Sequence, residues 1–363
     1  MTPPTKPNRL HKAAADSRKL TFDDNALAQQ LFGPHQDHLK RIEDALGVAL
    51  QDVGNEVTVL GEKIAVKAAV AALEGLYTRL ESGRDVDAQE VDAALRMSSQ
   101  DGKKSADVGV EIKTRKRSIT PRSPAQAAYL GAIDENVLVF GIGPAGTGKT
   151  YLAVAKAVER LVRGDVERII LSRPAVEAGE QLGFLPGDMR EKVDPYLRPI
   201  YDALNDFMEA RHVERALQTG MIEIAPLAFM RGRTLSNAVV LLDEAQNATS
   251  VQMKMFLTRL GEGSRMIITG DPSQVDLPPG QRSGLVEAVR LLSGVEGVGH
   301  ARFEEGDVVR HALVRRIVMA YEDASRRERD EREARLAALP APDAPSEGDA
   351  EGLKRTLSRE RPR

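Results

Sequence analysis

The run Gly143-Pro144-Ala145-Gly146-Thr147-Gly148-Lys149-Thr150 has the spacing G-x-x-x-x-G-K-S/T of a loop built to hold phosphate. Its glycines let backbone N–H groups close on phosphate oxygens, and a helix opening at Lys149 turns its positive end toward the same anion. Lys149 then reaches the β- and γ-phosphates, and the Thr150 hydroxyl is a ligand for Mg2+. Asp243 ends the apolar run Ala238–Leu242 and can hold Mg2+ through its water shell. Glu244, turned the other way, can accept a proton from an attacking water. Thr269-Gly270-Asp271-Pro272-Ser273-Gln274 closes the apolar run Met266–Ile268 and sets Gln274 to touch the γ-phosphate or that water. Each has a plainer alternative: a glycine-rich turn, a solvated acidic strand end, a Gly-Asp-Pro turn.

These residues need strands to carry them and helices to cover the strands. VLVFGIG, RIILSRPAV, AVVLLDEAQ and RMIITGDP are apolar runs of strand length, and helical patterns such as TYLAVAKAVERLVRG alternate with them. The implied fold over about 121–325 is an α/β parallel sheet with helices on both faces. Residues 1–20 are basic and proline-bearing and read as a disordered arm. Between 21 and 95 the order is helix, two short strands around Gly54-Asn55, then an alanine-rich helix. A polar linker spans 96–120. It holds Lys113, Arg115, Lys116 and Arg117, a run that is either a solvated face or a contact for a nucleic-acid backbone. From 326 to 363 dense charge and PAPDAPSEGDAEG give a tail that cannot form a core.

Composition narrows the remaining classes. Of 363 residues 42% are apolar and 29% charged, enough for a core, and the net charge of -3 excludes a chain basic throughout. There is no cysteine, so disulfides and thiolate metal sites are excluded, and the histidines keep no metal spacing. Aromatics are 4% with no tryptophan, which argues against a stacking-rich carbohydrate site. No run reaches the ~18 apolar residues of a membrane span and no secretory leader is visible, so a cytoplasmic protein without a membrane partner is expected.

The set GPAGTGKT, LLDEAQN and TGDPSQVDLP resembles motifs I, II and III of superfamily 1 helicases. SRPAVEAGEQLGFLPGDMREKVDPYLRPIYDAL and FEEGDVVRHALVRRIVMAYE are similar to the PhoH-like ATPases, over about 121–325. That resemblance implies a RecA-like P-loop NTPase with ATP and Mg2+, and a bacterial setting linked to RNA metabolism. It gives Gln126, in SPAQAAYL, the place of an adenine-reading glutamine, although a helix-start residue would look the same. Arg173, in SRPAV, takes a place near single-stranded nucleic acid, or is structural. The loop Gly179–Gly187 is without an assigned chemistry and suits a contact surface. The module at 21–95 resembles a KH-type RNA-binding unit, but the G-x-x-G position reads Gly33-Pro34-His35-Gln36. A protein-docking module is the alternative.

No second RecA-like lobe is expected after Gln274, with about 50 residues of folded chain there against a lobe of roughly 100–200. The arginine such sites use is then expected from a neighbouring subunit. Arg310 is the candidate, with a helix salt bridge as its other reading. A homo-oligomer is expected, with a ring such as a hexamer among its forms. Single-stranded RNA is the expected ligand, and the resemblance adds a separately encoded endoribonuclease as a partner. Two other functions stay open: an ATP-driven switch acting on a protein, and a small-molecule kinase, against which Glu244 beside Asp243 favours water as nucleophile.

Overall fold

Apolar side chains on both faces of the central strands force helices onto both sides of one sheet. The computed structural model describes residues 15–98, 111–174, 189–278 and 280–308, with Ile317 and Arg327 beyond them, and for 189–196 the helix backbone alone. Residues through 308 belong to the unit Met1–Val309; Ile317 and Arg327, helical and exposed, belong to a second unit, Arg310–Arg363. Arg310 and the glycine-rich loop at 179–187 lie outside the described residues.

The N-terminal part runs β1 (Ala15–Thr21), α1 (Asn25–Phe32), α2 (Asp37–Leu46), β2 (Ala49–Val53), β3 (Glu56–Glu62), α3 (Lys63–Glu81) and α4 (Ala88–Ser98). Its sheet has the order β1-β3-β2, both pairings antiparallel. Val57 and Val59 alternate inward from β3 onto Leu31, Ile42 and Leu73. The strand β1 corrects the reading of a disordered arm for 15–20, which pair along β3 from Ala15–Glu62 onward, while 1–14 lie outside the described residues. ADSRKLT has almost no apolar alternation; the free edge of β3 supplies the pairing that the local pattern does not.

The larger part adds the hairpin β4 (Ile112–Lys113) and β5 (Ser118–Ile119), then α5 (Pro124–Glu135), β6 (Leu138–Ile142), α6 (Lys149–Arg163) and β7 (Arg168–Arg173). It continues through α7 (Met189–Phe207), α8 (Ala210–Gln218), β8 (Ile222–Pro226), β9 (Ala238–Leu242), α9 (Ser250–Leu257), β10 (Arg265–Gly270), α10 (Gly284–Leu291) and β11 (Val298–Arg302). The six strands are all parallel in the order β11-β6-β10-β9-β7-β8. Val139, Ile169, Val239 and Ile267 point to one layer, with α5, α6, α7 and α8. Leu138, Ile170, Val240 and Met266 point to the other, with α9 and α10. This is the expected α/β, RecA-like sheet, with β8 and β11 as additions that the sequence pattern did not mark.

The 96–120 linker is corrected at its two ends, with 99–110 outside the described residues. Helix α4 runs on to Ser98, and 111–120 is a built part of the sheet domain. Ile112 is fully buried against α6, and the Lys113 backbone N–H donates to Glu159 Oε1 at 3.2 Å. Ile119 on β5 packs against the same core, so two apolar residues among charges anchor the hairpin. Among the described residues no helix is long and apolar enough to cross a membrane.

Candidate nucleotide site

The phosphate loop follows from its strand and helix. Phe303 N–H donates to the Ile142 carbonyl at 2.8 Å, carrying the chain after β11 across the end of β6. Gly143 sits there at φ 149, and a Cβ would strike the Phe303 carbonyl and lie 2.7 Å from its Cβ. Gly148, at φ 85, turns the chain into α6. Lys149 Nζ folds over the loop and donates to the carbonyls of Gly143 and Pro144, each at 2.7 Å. An ammonium satisfied by those carbonyls is placed to exchange them for phosphate oxygens.

Strand β10 lies between β6 and β9, so the ends of β6, β10, β9 and β7 line up along one edge. There a cleft of ≈ 500 Å³ is lined by the loop, Arg173, Asp243, Glu244, Asp271 and Gln274. Thr150 Oγ1 donates to Asp243 Oδ1 at 2.6 Å across 93 residues of sequence. Thr269 Oγ1 donates to the same oxygen at 2.7 Å, and Asp243 is only 4% exposed. Among the described residues no group of three or more His, Asp or Glu side chains gathers as a metal cage. The Thr150–Asp243 pair is instead the partial oxygen set that suits Mg2+ when phosphates and waters complete its shell.

Glu244 stands in the left-handed region at φ 51, unusual for a residue with a side chain. Gln246 Nε2 donates to its Oε2 at 2.5 Å, and Arg173 pairs with its Oε1 at 3.3 Å. Gln246 Oε1 also accepts the Asp271 N–H at 3.0 Å, which ties the ends of β9 and β10 together. Gln274 is exposed at the cleft, its N–H bonded to the Asp271 carbonyl.

The opposite wall comes from α7 through Pro199, Asp202, Ala203 and Asp206, and from Tyr151. Burial holds the Tyr151 phenol above its ordinary range despite the nearby Arg117, so it faces the cleft as a neutral hydroxyl. The basic hairpin meets this wall. Arg117 reaches Tyr151 Oη at 3.3 Å and Asp206 at 3.8 Å, and Lys116 donates to the Asn205 carbonyl at 2.7 Å. Lys113 pairs loosely with Glu111 at 3.8 Å, and Arg115 is exposed.

The expected residues thus gather unequally. Lys149, Thr150, Asp243, Glu244, Gln274 and Arg173 share the cleft, whereas Gln126 does not line it. Gln126 is 4% exposed behind the loop. Thr269, Gln246 and the α7 carboxylates were not read as site residues. Thr269 lies in TGDPSQVDLP and Gln246 in LLDEAQN, but no local spacing marks Asp202 or Asp206.

Comparison with known proteins agrees with this geometry. Residues 118–322 match the family described as "PhoH: PhoH-like protein". The PhoH-like protein of Bacillus subtilis (strain 168) is 49% identical over 312 residues, covering 85% of this chain and 97% of that one. The PhoH-like protein of Mycobacterium tuberculosis (strain H37Rv) is 50% identical over 294 residues, 80% of this chain and 84% of that one. Protein PhoH of Escherichia coli (strain K12) is 44% identical over 263 residues, 72% and 73% of the two chains. With its phosphate loop, parallel sheet and cleft in register, this chain belongs to the PhoH-like protein family as a P-loop NTPase.

Proposed function

We propose that this chain hydrolyses ATP in a Mg2+-dependent reaction and that single-stranded RNA controls its turnover. The observation that carries the reading is the meeting of Lys149, Thr150, Asp243 and Glu244 in one cleft. Water attacks the γ-phosphorus in line, its proton passes to the Glu244 carboxylate, and the bond from γ-phosphorus to the bridging oxygen breaks, giving ADP and phosphate. Lys149 holds the β- and γ-oxygens, and Gln246 with Arg173 sets the direction of the Glu244 carboxylate. Thr150 and Asp243 would hold Mg2+, which supplies neutralising charge to the phosphates. An arginine from a neighbouring copy completes the charge in this reading, with Arg310 as the candidate.

The RNA part is supported by the hairpin of Lys113, Arg115, Lys116 and Arg117 at the cleft wall. The N-terminal order β1-α1-α2-β2-β3-α3, which α4 follows, also supports it, because the loop Gly33–Gln36 falls between α1 and α2, where a KH-type unit clamps a nucleic-acid backbone. Gln36, in the second glycine's place, takes φ 63, the conformation a glycine would supply.

The test is the steady-state ATPase rate with and without single-stranded RNA at several salt concentrations. Stimulation that fades as salt rises is expected. Slow, RNA-indifferent turnover would move the reading to a switch acting on a protein partner. Lys149→Ala should lose nucleotide binding, and Glu244→Gln should bind ATP yet turn over ~10²–10⁴-fold more slowly. Normal turnover in Glu244→Gln would remove it as the base.

A further inference from the structure

A glutamine reads adenine by accepting from its N6 amine and donating to its N7 at once, so both ends of the amide must be available. Gln126 has committed both ends elsewhere. Ser123 caps α5, accepting from the Gln126 N–H at 3.2 Å, and this places Gln126 in the first turn. From there its Oε1 accepts the Arg122 N–H at 2.6 Å, and its Nε2 donates to the Thr147 carbonyl of the phosphate loop at 2.9 Å. The Gln126 side chain is packed behind the loop: a Cβ at Gly148 would come within 3.1 Å of Nε2. Swinging it toward a base would strand a half-buried N–H and a buried carbonyl, the carbonyl at a cost of about one lost hydrogen bond.

Arg122 is itself held by the N-terminal part. Its guanidinium donates to Glu90 Oε1 and Gln89 Oε1 on α4, both at 3.1 Å. Its carbonyl accepts from Arg96 Nε, also on α4, at 3.1 Å. Arg79 on α3 pairs with the same Glu90 oxygen at 3.4 Å and reaches Thr120 Oγ1 at 3.3 Å. Polar bonds therefore run without a break from α3 and α4, through Arg122 and Gln126, to Thr147. The Thr147 hydroxyl in turn donates to the Pro144 carbonyl at 3.0 Å and stands 3.4 Å from Lys149 Nζ.

We propose that Gln126 is a positioning residue that ties the phosphate loop to the N-terminal module through Arg122 and Glu90, and that it does not read the base. The inference rests on the nucleotide-binding reading above. It gives the module a physical hold on the loop: a ligand that shifts α4 changes the geometry in which Lys149 meets phosphate.

The experiment measures equilibrium binding of fluorescent ATP and GTP analogues to full-length wild type, Gln126→Met, Glu90→Ala and the double variant, with the nucleotide-free thermal midpoint of each. Gln126→Met removes both amide bonds at nearly constant volume and should weaken the two nucleotides by the same factor, about tenfold. Glu90→Ala, in the other module, should weaken both about threefold, and should add little once Gln126→Met is present. A loss confined to ATP in Gln126→Met would make it a base reader and overturn the proposal. Unchanged binding in Glu90→Ala, or a full additive loss in the double variant, would overturn the tie. Should Gln126→Met fail to fold, Glu90→Ala decides alone, since a merely structural glutamate in the module would not move nucleotide affinity. Wild type that binds neither analogue would instead refute the nucleotide reading itself.

Discussion

Thr269→Val tests the buried end of the metal site with the smallest available change. Valine matches threonine in shape but has no hydroxyl, so the variant removes one donor and keeps the packing. Thr269 is fully buried, and its hydroxyl gives Asp243 Oδ1 a bond of 2.7 Å and the Leu242 carbonyl a weaker one of 3.4 Å. A hydrogen bond to a charged group is worth about 1.5–3 kcal/mol, and Asp243, only 4% exposed at the cleft, has little water to turn to instead. We take ~2 kcal/mol as the expected loss, which for a domain of this size lowers the thermal midpoint by about 4–8 °C. Asp243 would keep only Thr150 as a hydroxyl partner, so its carboxylate should hold Mg2+ less well and the Mg2+ concentration for half-maximal ATPase should rise. The assay pairs a thermal melt of nucleotide-free protein with an ATPase titration in Mg2+. An unchanged midpoint with an unchanged Mg2+ requirement would refute the claim that Thr269 holds this carboxylate in place.

Two further outcomes are expected. Gly143→Ala would force a side chain into a backbone at φ 149 and against the Phe303 carbonyl, so about 3 kcal/mol of stability should go and nucleotide binding with it; a normal melt and normal binding would show that the chain after β11 does not close on the loop as described. Arg233 bonds both oxygens of Glu223 on β8, at 2.6 and 2.7 Å, and holds its carboxyl below the ordinary carboxylate range. The folded value is depressed, so this contribution is present above the unfolded-state value and is lost as pH falls through the folded one. Partial exposure keeps it near ~1 kcal/mol or less. Arg233→Met should flatten the acid side of the stability–pH curve, and an unaltered acid limb would refute the pairing.

What the sequence determined by itself is what neighbours along the chain decide. G-x-x-x-x-G-K-T between an apolar run and a helical pattern specified a phosphate loop, because glycine conformations and the start of a helix are local matters. The hairpin at Gly54-Asn55 and the stop of α2 at Gly47 were legible for the same reason. So was the acidic pair Asp243-Glu244, since an apolar run of that length has to end at a sheet edge. Strand β1 was not legible: its seven residues lack alternation, and it exists because β3 has an edge to fill. Nor could spacing tell that Thr150 would meet Asp243 across 93 residues, with Thr269 on the same oxygen. The cleft wall of Asp202 and Asp206 needed α7 laid across from the loop. Gln126 shows the difference most sharply, because its motif is compatible with reading a base or starting a helix. The direction of one amide, set by Thr147 on one side and Arg122 on the other, is a matter of packing between segments that only the folded chain brings together.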